Sequence, residues 1–210
     1  MKPGEARSSD FAAAVAALTG GGVVVYPTET FYGLGADALS EDSLRRLAAL
    51  KGRDAGKPIS VLVSSRTMLL EIVPPLSETA ERLMGKFWPG PLTLVLPARA
   101  CVSPILTGGR GTIGVRISSH PLAEALVAEL GRPVTATSAN PSGREPATSV
   151  SQARGYFGSR VDAYLDGGPA PAGPGSTVIE LSGDRAVLIR EGVIPVSAIE
   201  SCGVPMGGRL

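Results

Sequence analysis

Polar and basic residues recur beside short apolar runs in this sequence. They are Thr28-Glu29-Thr30 after Tyr26-Pro27, Lys51-Gly52-Arg53 with Lys57-Pro58, Arg116, Ser138-Ala139-Asn140, and Arg190-Glu191-Gly192. Strand ends and the loops after them are where α/β proteins place ligand groups, so this recurrence predicts one shared pocket. Its lining would be cationic and rich in hydroxyls. Guanidinium and ammonium donors make charge-assisted hydrogen bonds to phosphate and carboxylate, which are therefore the groups such a pocket would take.

The elements that must position these residues follow from apolar spacing and punctuation. Phe11, Ala14, Val15 and Leu18 share one helical face, and Gly20-Gly21-Gly22 stops that helix. Val23 to Tyr26 reads as a buried strand. Ser40 is an N-cap candidate, with Glu41 and Asp42 in the first turn where the helix dipole favours carboxylates, and that helix delivers Lys51 and Arg53 at its end. Ile59 to Val63 reads as a strand, 78–87 as a helix ending at the rigid turn Trp88-Pro89-Gly90-Pro91, and Leu92 to Leu96 and Ile113 to Ile117 as strands. Pro121 suits the first turn of a helix that Gly131 ends after Leu130, and Val134 to Thr137 then enters the Ser138-Ala139-Asn140 loop. Gly167 to Gly175, rich in glycine and proline, predicts a loop over the surface or a cleft mouth and a candidate mobile cover. Thr177 to Leu181 and Ala186 to Arg190 flank the turn-forming Ser182-Gly183-Asp184-Arg185 as a hairpin, and a helix over 196–201 follows. The pattern predicts an α/β fold: one domain over 1–210, with a core over about 10–200, built on a twisted mixed β-sheet flanked by helices and holding a concave cationic cleft.

Bulk properties narrow the function classes. A chain of 210 residues can bury a core without disulfide or metal support. Lys and Arg number 20 against 19 Asp and Glu, so the total charge does not indicate a strongly basic nucleic-acid protein, although a local basic cleft remains compatible with it. Cys101 and Cys202 form no CxxC pair and, with the single His120, make no usual zinc site, which fits a reduced cytoplasmic protein and predicts no metal ligands. Apolar runs are strand-length, far below the roughly 20 residues that span a bilayer, and no signal peptide is evident.

Taken together, the runs VYPTETFYGLGA (25–36), 51–58, Pro89-Gly90-Pro91-Leu92-Thr93, Gly114-Val115-Arg116, Ser138-Ala139-Asn140-Pro141-Ser142-Gly143, Ser176-Thr177-Val178 and Arg190-Glu191-Gly192 resemble the YrdC-type family of threonylcarbamoyl-AMP synthases. The resemblance covers about residues 10 to 200 in order. It implies a YrdC-like fold and synthesis of threonylcarbamoyl-adenylate from L-threonine, bicarbonate and ATP with release of pyrophosphate, for t6A modification of tRNA next to the anticodon. Such a reaction needs shielded phosphate charge and in-line positioning more than a nucleophile, and the sequence offers cations and no catalytic triad.

By that resemblance Lys51 and Arg53 are the catalytic cations, with Lys51 neutralising charge at the α-phosphate or the carbamate. Arg53 and Lys57 hold triphosphate oxygens, and Thr112, Ser138, Asn140 and Arg190 complete the ATP site. Arg116 takes the threonine carboxylate, Thr30 and Ser176 recognise the amino acid, and Ala136 does so through its backbone. Each has a plainer reading. Basic residues are favoured at any helix C-terminus, Ser-Ala-Asn-Pro-Ser-Gly is a good turn, and the threonines and Ser176 could make ordinary strand-end hydrogen bonds. A buried Arg116 could be held by an internal Asp or Glu. His120, before Pro121, suits helix capping.

Two positions depart from the family pattern: Leu62 stands where many members have histidine, and Pro146 where many have serine. The longer members add a C-terminal domain, and this sequence is expected to be of the single-domain type. Mg²⁺ is implied as the counter-ion of ATP, and a downstream complex that transfers the threonylcarbamoyl group is implied as a partner. Two alternatives stand beside the synthase: a module binding tRNA or other structured RNA through the same basic cleft, and a paralogue forming a different acyl-adenylate.

Overall fold

The computed structural model describes residues 8–52, 56–183, 185–204 and 206–207. Helix α1 (Ser8–Thr19) precedes strands β1 (Val24–Tyr26) and β2 (Gly33–Gly35). Helix α2 (Glu41–Lys51) begins at Ser40, whose hydroxyl accepts the Ser43 amide, and ends at Gly52 in the left-handed region. Strand β3 (Val61–Leu62), helices α3 (Arg66–Ile72) and α4 (Glu78–Phe87), and strand β4 (Leu92–Pro97) follow, with a cis Trp88–Pro89 bond in the turn before β4. Helix α5 (Pro104–Thr107), strand β5 (Thr112–Arg116) and helix α6 (Pro121–Leu130) lead to two two-residue strands, β6 (Val134–Thr135) and β7 (Thr137–Ser138). Helix α7 (Val150–Phe157), a 3-10 turn (Gly158–Arg160), strand β8 (Ala163–Tyr164), the hairpin of β9 (Thr177–Ser182) and β10 (Arg185–Arg190), helix α8 (Val196–Glu200) and strand β11 (Met206–Gly207) complete the described elements.

The strands divide into two mixed sheets, where the sequence pattern suggested one. The larger runs β11-β10-β9-β4-β5-β3-β6 and the smaller β7-β2-β1-β8. Ala136, the single residue between β6 and β7, is the corner at which the chain leaves one sheet for the other; its amide donates to the Ser60 carbonyl at 2.7 Å. The predicted strand ending at Thr137 is therefore two strands. A run of apolar and hydroxyl residues carries no mark of the sheet to which each residue belongs.

Packing in the smaller sheet turns on Tyr26. Its ring is fully buried, and its hydroxyl donates to the Thr135 carbonyl at 2.8 Å, linking β1 to the larger sheet. The ring lies across β2, where a Cβ at Gly33 or Gly35 would come within 2.8 Å of it, so both positions exclude a side chain. Burial holds the Tyr26 phenol well above its ordinary pKa, and it stays a hydrogen-bond donor. On the outside, α1 packs on α6 and β8, burying Ala14 and Leu18.

Candidate functional site

The two sheets meet around a cavity of about 480 Å³. Among the sequence-predicted residues, Thr30, Arg116, Ala136, Ser138, Ser176 and Arg190 line it, together with Tyr26, Thr28, Tyr32, Thr93 and Glu191. Residues from the β1–β2 loop, the end of β5, the Ala136 corner and the start of β9 thus converge on one space. Six of the expected site residues share one pocket.

The floor is Arg116, 6% exposed at the end of β5. Its Nη1 is paired with the Glu29 carboxylate, whose other oxygen accepts the Ser118 hydroxyl. The internal ion pair that a buried arginine could have is therefore present. Burial, with the nearby Arg190 charge, brings the Arg116 guanidinium down to about 10, which still leaves it cationic at neutral pH.

Hydroxyl directions on either side follow from counting hydrogens. Thr28 Oγ1 donates to the Phe31 carbonyl at 2.6 Å, so in its 3.1 Å contact with Thr30 the Thr30 hydroxyl is the donor. Thr30 is left with lone pairs, an acceptor for an ammonium or hydroxyl. Ser176 is the reverse: its oxygen accepts from Thr93 Oγ1 at 2.9 Å and from Arg190 Nη2 at 3.3 Å, which leaves its own proton to give. Arg190 reaches this place through a β-bulge, because the β9–β10 register shifts between Leu188 and Arg190 and leaves Ile189 unpaired. The Ala136 amide is already committed to Ser60, so the carbonyl is the backbone group it can offer.

Four predicted residues are not among the described lining. Lys51 is 4% exposed and lies behind the wall, its ammonium bonded to the Ser138 and Asn140 carbonyls. Asn140 gives both amide hydrogens to the Pro141 and Arg144 carbonyls, at 3.0 and 2.7 Å, and its buried Oδ1 has no partner among the described residues. Lys57 is exposed beside Pro58, which does line the cavity. Thr112 stands at the far end of β5 from Arg116, roughly 13 Å along the strand at about 3.3 Å per residue. Arg53 lies outside the described residues. The described wall thus carries two arginines and Glu191, and the expected cationic cleft is limited there to Arg116 and Arg190.

The two departures from the family pattern have different surroundings. Pro146 lines the cavity, whereas Leu62 is buried on β3 in register with Arg116. His120 caps α6, its Nδ1 accepting the Leu122 amide at 3.3 Å, as its place before Pro121 suggested. The glycine- and proline-rich segment is tied at both ends. Tyr32 Oη donates to the Gly168 carbonyl at 2.6 Å and accepts the Gly167 amide at 3.1 Å, and the Gly175 carbonyl accepts the Val193 amide at 3.0 Å. Glu29 was missed in the sequence as a site residue; its place between two threonines after a strand was the available signal.

This fold, with a polar cavity between two mixed sheets, belongs to a defined class. The Sua5/YciO/YrdC family, described as telomere recombination, matches residues 16–192, and the chain is a member of that family. It is 41% identical over 180 residues to threonylcarbamoyl-AMP synthase of Pyrococcus abyssi, covering 86% of this chain and 53% of that protein. It is 43% identical over 182 residues to the synthase of Thiobacillus denitrificans, covering 87% of this chain and 96% of that one. In structure it is similar to P. abyssi Sua5 complexed with L-threonine, with a TM-score of 0.89 at 38% identity, over 94% of this chain and 58% of the other. The chain therefore spans about half the length of the P. abyssi relative.

Proposed function

We propose that this chain is a threonylcarbamoyl-AMP synthase, making threonylcarbamoyl-adenylate and pyrophosphate from L-threonine, bicarbonate and ATP. The observation that carries this is the convergence of Arg116, Thr30 and Ser176 on one cavity: a fixed cation, a hydroxyl acceptor and a hydroxyl donor. That set matches a free amino acid, whose carboxylate and amine need opposite partners. Likeness to a protein solved with L-threonine supports the same assignment.

In this scheme Arg116 takes the threonine carboxylate and Thr30 accepts a hydrogen bond from its amine or hydroxyl. The amine adds to bicarbonate with loss of water, and an oxygen of the resulting carbamate attacks the α-phosphorus of ATP as the bond to pyrophosphate breaks. ATP lies toward Ser138, Asn140 and Thr112. Arg190, with Arg53 and Lys57, shields the phosphates, and Lys51 holds the Ser138 to Asn140 loop on which the nucleotide rests.

Among the described residues no three His, Cys, Asp or Glu side chains gather to hold a metal ion, and Glu191 Oε1 already accepts the Val196 amide. The described residues do not fit a resident metal, so Mg²⁺ enters this scheme only with ATP as substrate. No described helix is long and apolar enough to cross a membrane. The adenylate would pass to a downstream complex acting on tRNA, in the cytoplasm.

The test is pyrophosphate release from ATP and Mg²⁺ with threonine and bicarbonate each present or omitted, and the nucleotide product identified by mass. Release that needs both, with the mass of threonylcarbamoyl-AMP, is the expected result. ATP binding without release would point to another acyl donor, and no ATP binding to the RNA-binding alternative.

A further inference from the structure

Glu29 has no part in the reaction scheme above, yet its position is heavily determined. Its side chain is 14% exposed, in the loop between β1 and β2, and both carboxylate oxygens are committed. One accepts from Arg116 Nη1 and the other from the Ser118 hydroxyl. Ser118 is itself 2% exposed, and its oxygen accepts the His120 amide at 3.2 Å, where α6 begins. A line of hydrogen bonds therefore runs from the start of a helix through Ser118 and Glu29 to the cavity floor.

The other end of that line is the arginine. Among the described residues, Nε and Nη2 of Arg116 make no hydrogen bond, and Arg116 lines the cavity. Those two nitrogens form one edge of the planar guanidinium, the edge that receives a carboxylate through two parallel bonds. Glu29 grips the third nitrogen. An arginine side chain has several rotatable bonds, and without that grip the open edge would have no fixed direction. The partner charge has a second effect: the Arg116–Glu29 pair is neutral as a unit, so attraction for a ligand rests on matching the edge and less on net charge. A planar carboxylate gains more from this than a round or tetrahedral anion.

We propose that Glu29 is a positioning residue for amino-acid recognition, holding Arg116 by Nη1 so that its Nε/Nη2 edge faces the cavity for a ligand carboxylate, with Ser118 fixing Glu29 in turn. This rests on the assignment of Arg116 to the threonine carboxylate.

The test is steady-state kinetics on the full chain, with threonine and ATP varied separately, for Glu29→Ala, Glu29→Gln, Ser118→Ala and the Glu29→Ala/Ser118→Ala double variant. Glu29→Ala is expected to raise the KM for threonine by at least about tenfold while the KM for ATP stays within about twofold. Glu29→Gln keeps an acceptor for Nη1 and should fall between it and wild type. Ser118→Ala should raise the threonine KM a few-fold alone and add nothing in the Glu29→Ala background, since it acts through the same carboxylate. If Glu29→Ala fails to fold, Ser118→Ala and Glu29→Gln still carry the test, because neither strands a buried charge without an acceptor. A threonine KM within about twofold of wild type in Glu29→Gln and Ser118→Ala, or equal rises for threonine and ATP, overturns the inference. A wild-type chain that makes no adenylate from threonine overturns the assignment beneath it, and the two failures are thereby distinguished.

Discussion

Lys51 and Ser138, 87 positions apart in the chain, are joined by a hydrogen bond of 2.6 Å from the lysine ammonium to the serine carbonyl. The same ammonium reaches the Asn140 carbonyl at 3.0 Å, and the Ser142 amide returns a bond to the Lys51 carbonyl at 2.8 Å. The end of α2 and the Ser138 to Asn140 loop are one mechanical unit. Replacing Lys51 with methionine keeps the stem and deletes the donor, so the Asn140 carbonyl loses its ammonium partner and the Ser138 carbonyl keeps only the Asn140 amide, at a cost of about 1–3 kcal/mol. The expected result is a melting temperature lower by about 2–4 °C for each kcal/mol lost, together with weaker ATP binding by calorimetry. Unchanged melting and ATP affinity would mean the lysine does not brace the loop.

Arg116→Gln removes the cation while keeping a polar end. Charge-assisted bonds contribute about 1.5–3 kcal/mol each, so the KM for threonine should rise at least about tenfold. ATP affinity should change little. A fall in ATP affinity of the same size would place Arg116 with the nucleotide instead.

His120 makes stability depend on pH in a defined direction. Its ring accepts the Leu122 amide through Nδ1, so the capping form is neutral, and burial lowers its pKa below the ordinary 6.5. The folded chain then binds the proton less readily than the unfolded one. The contribution is fully present above pH of about 6.5 and is lost as pH falls through the lower folded value. His120→Asn caps without titrating, so thermal melts over this range should show a smaller fall in stability on acidification than wild type. Its activity should stay within about tenfold of wild type, about 1.4 kcal/mol of barrier.

Gly192→Ala tests the seating of the turn that follows Arg190. A Cβ there would stand 2.1 Å from the Gly175 carbonyl oxygen and 2.5 Å from the Ser176 carbonyl carbon. The chain must shift to admit it, at a cost of about 1–3 kcal/mol. Both the melting temperature and the affinity for ATP should fall, since Arg190 and Ser176 move with the turn. A variant with wild-type stability would show that this segment yields freely.

Much of this architecture was legible because the signals were local. The helix over 78–87 and that from Pro121 to Leu130 appear where expected, bounded by Ser77, His120 and Gly131. The β9–β10 hairpin pairs as its turn residues implied, one residue longer on each strand. What escaped was non-local or faint. Strand β2 is Gly-Leu-Gly, a poor strand sequence that forms because Tyr26 covers it. The predicted strand from Ile59 to Val63 shrinks to Val61–Leu62, since its neighbours β5 and β6 pair with it only there. In the site, residue types announced Arg116 and the hydroxyls, but the pairing of Arg116 with Glu29 spans 87 positions and follows from the fold alone.

The Ala136 corner gives the cavity an uncommon relation to the rest of the molecule. Tyr26 and Thr30 come from the smaller sheet's side, Arg116 and Ser176 from the larger, and a ligand touching both clasps two units that could otherwise open separately. Native chains open in such cooperative pieces, and anything bound across a seam raises the energy of parting it. Ligand should therefore do more than fill a hole: it should slow amide exchange and protease attack along β1, β2 and β7, far beyond the atoms it contacts.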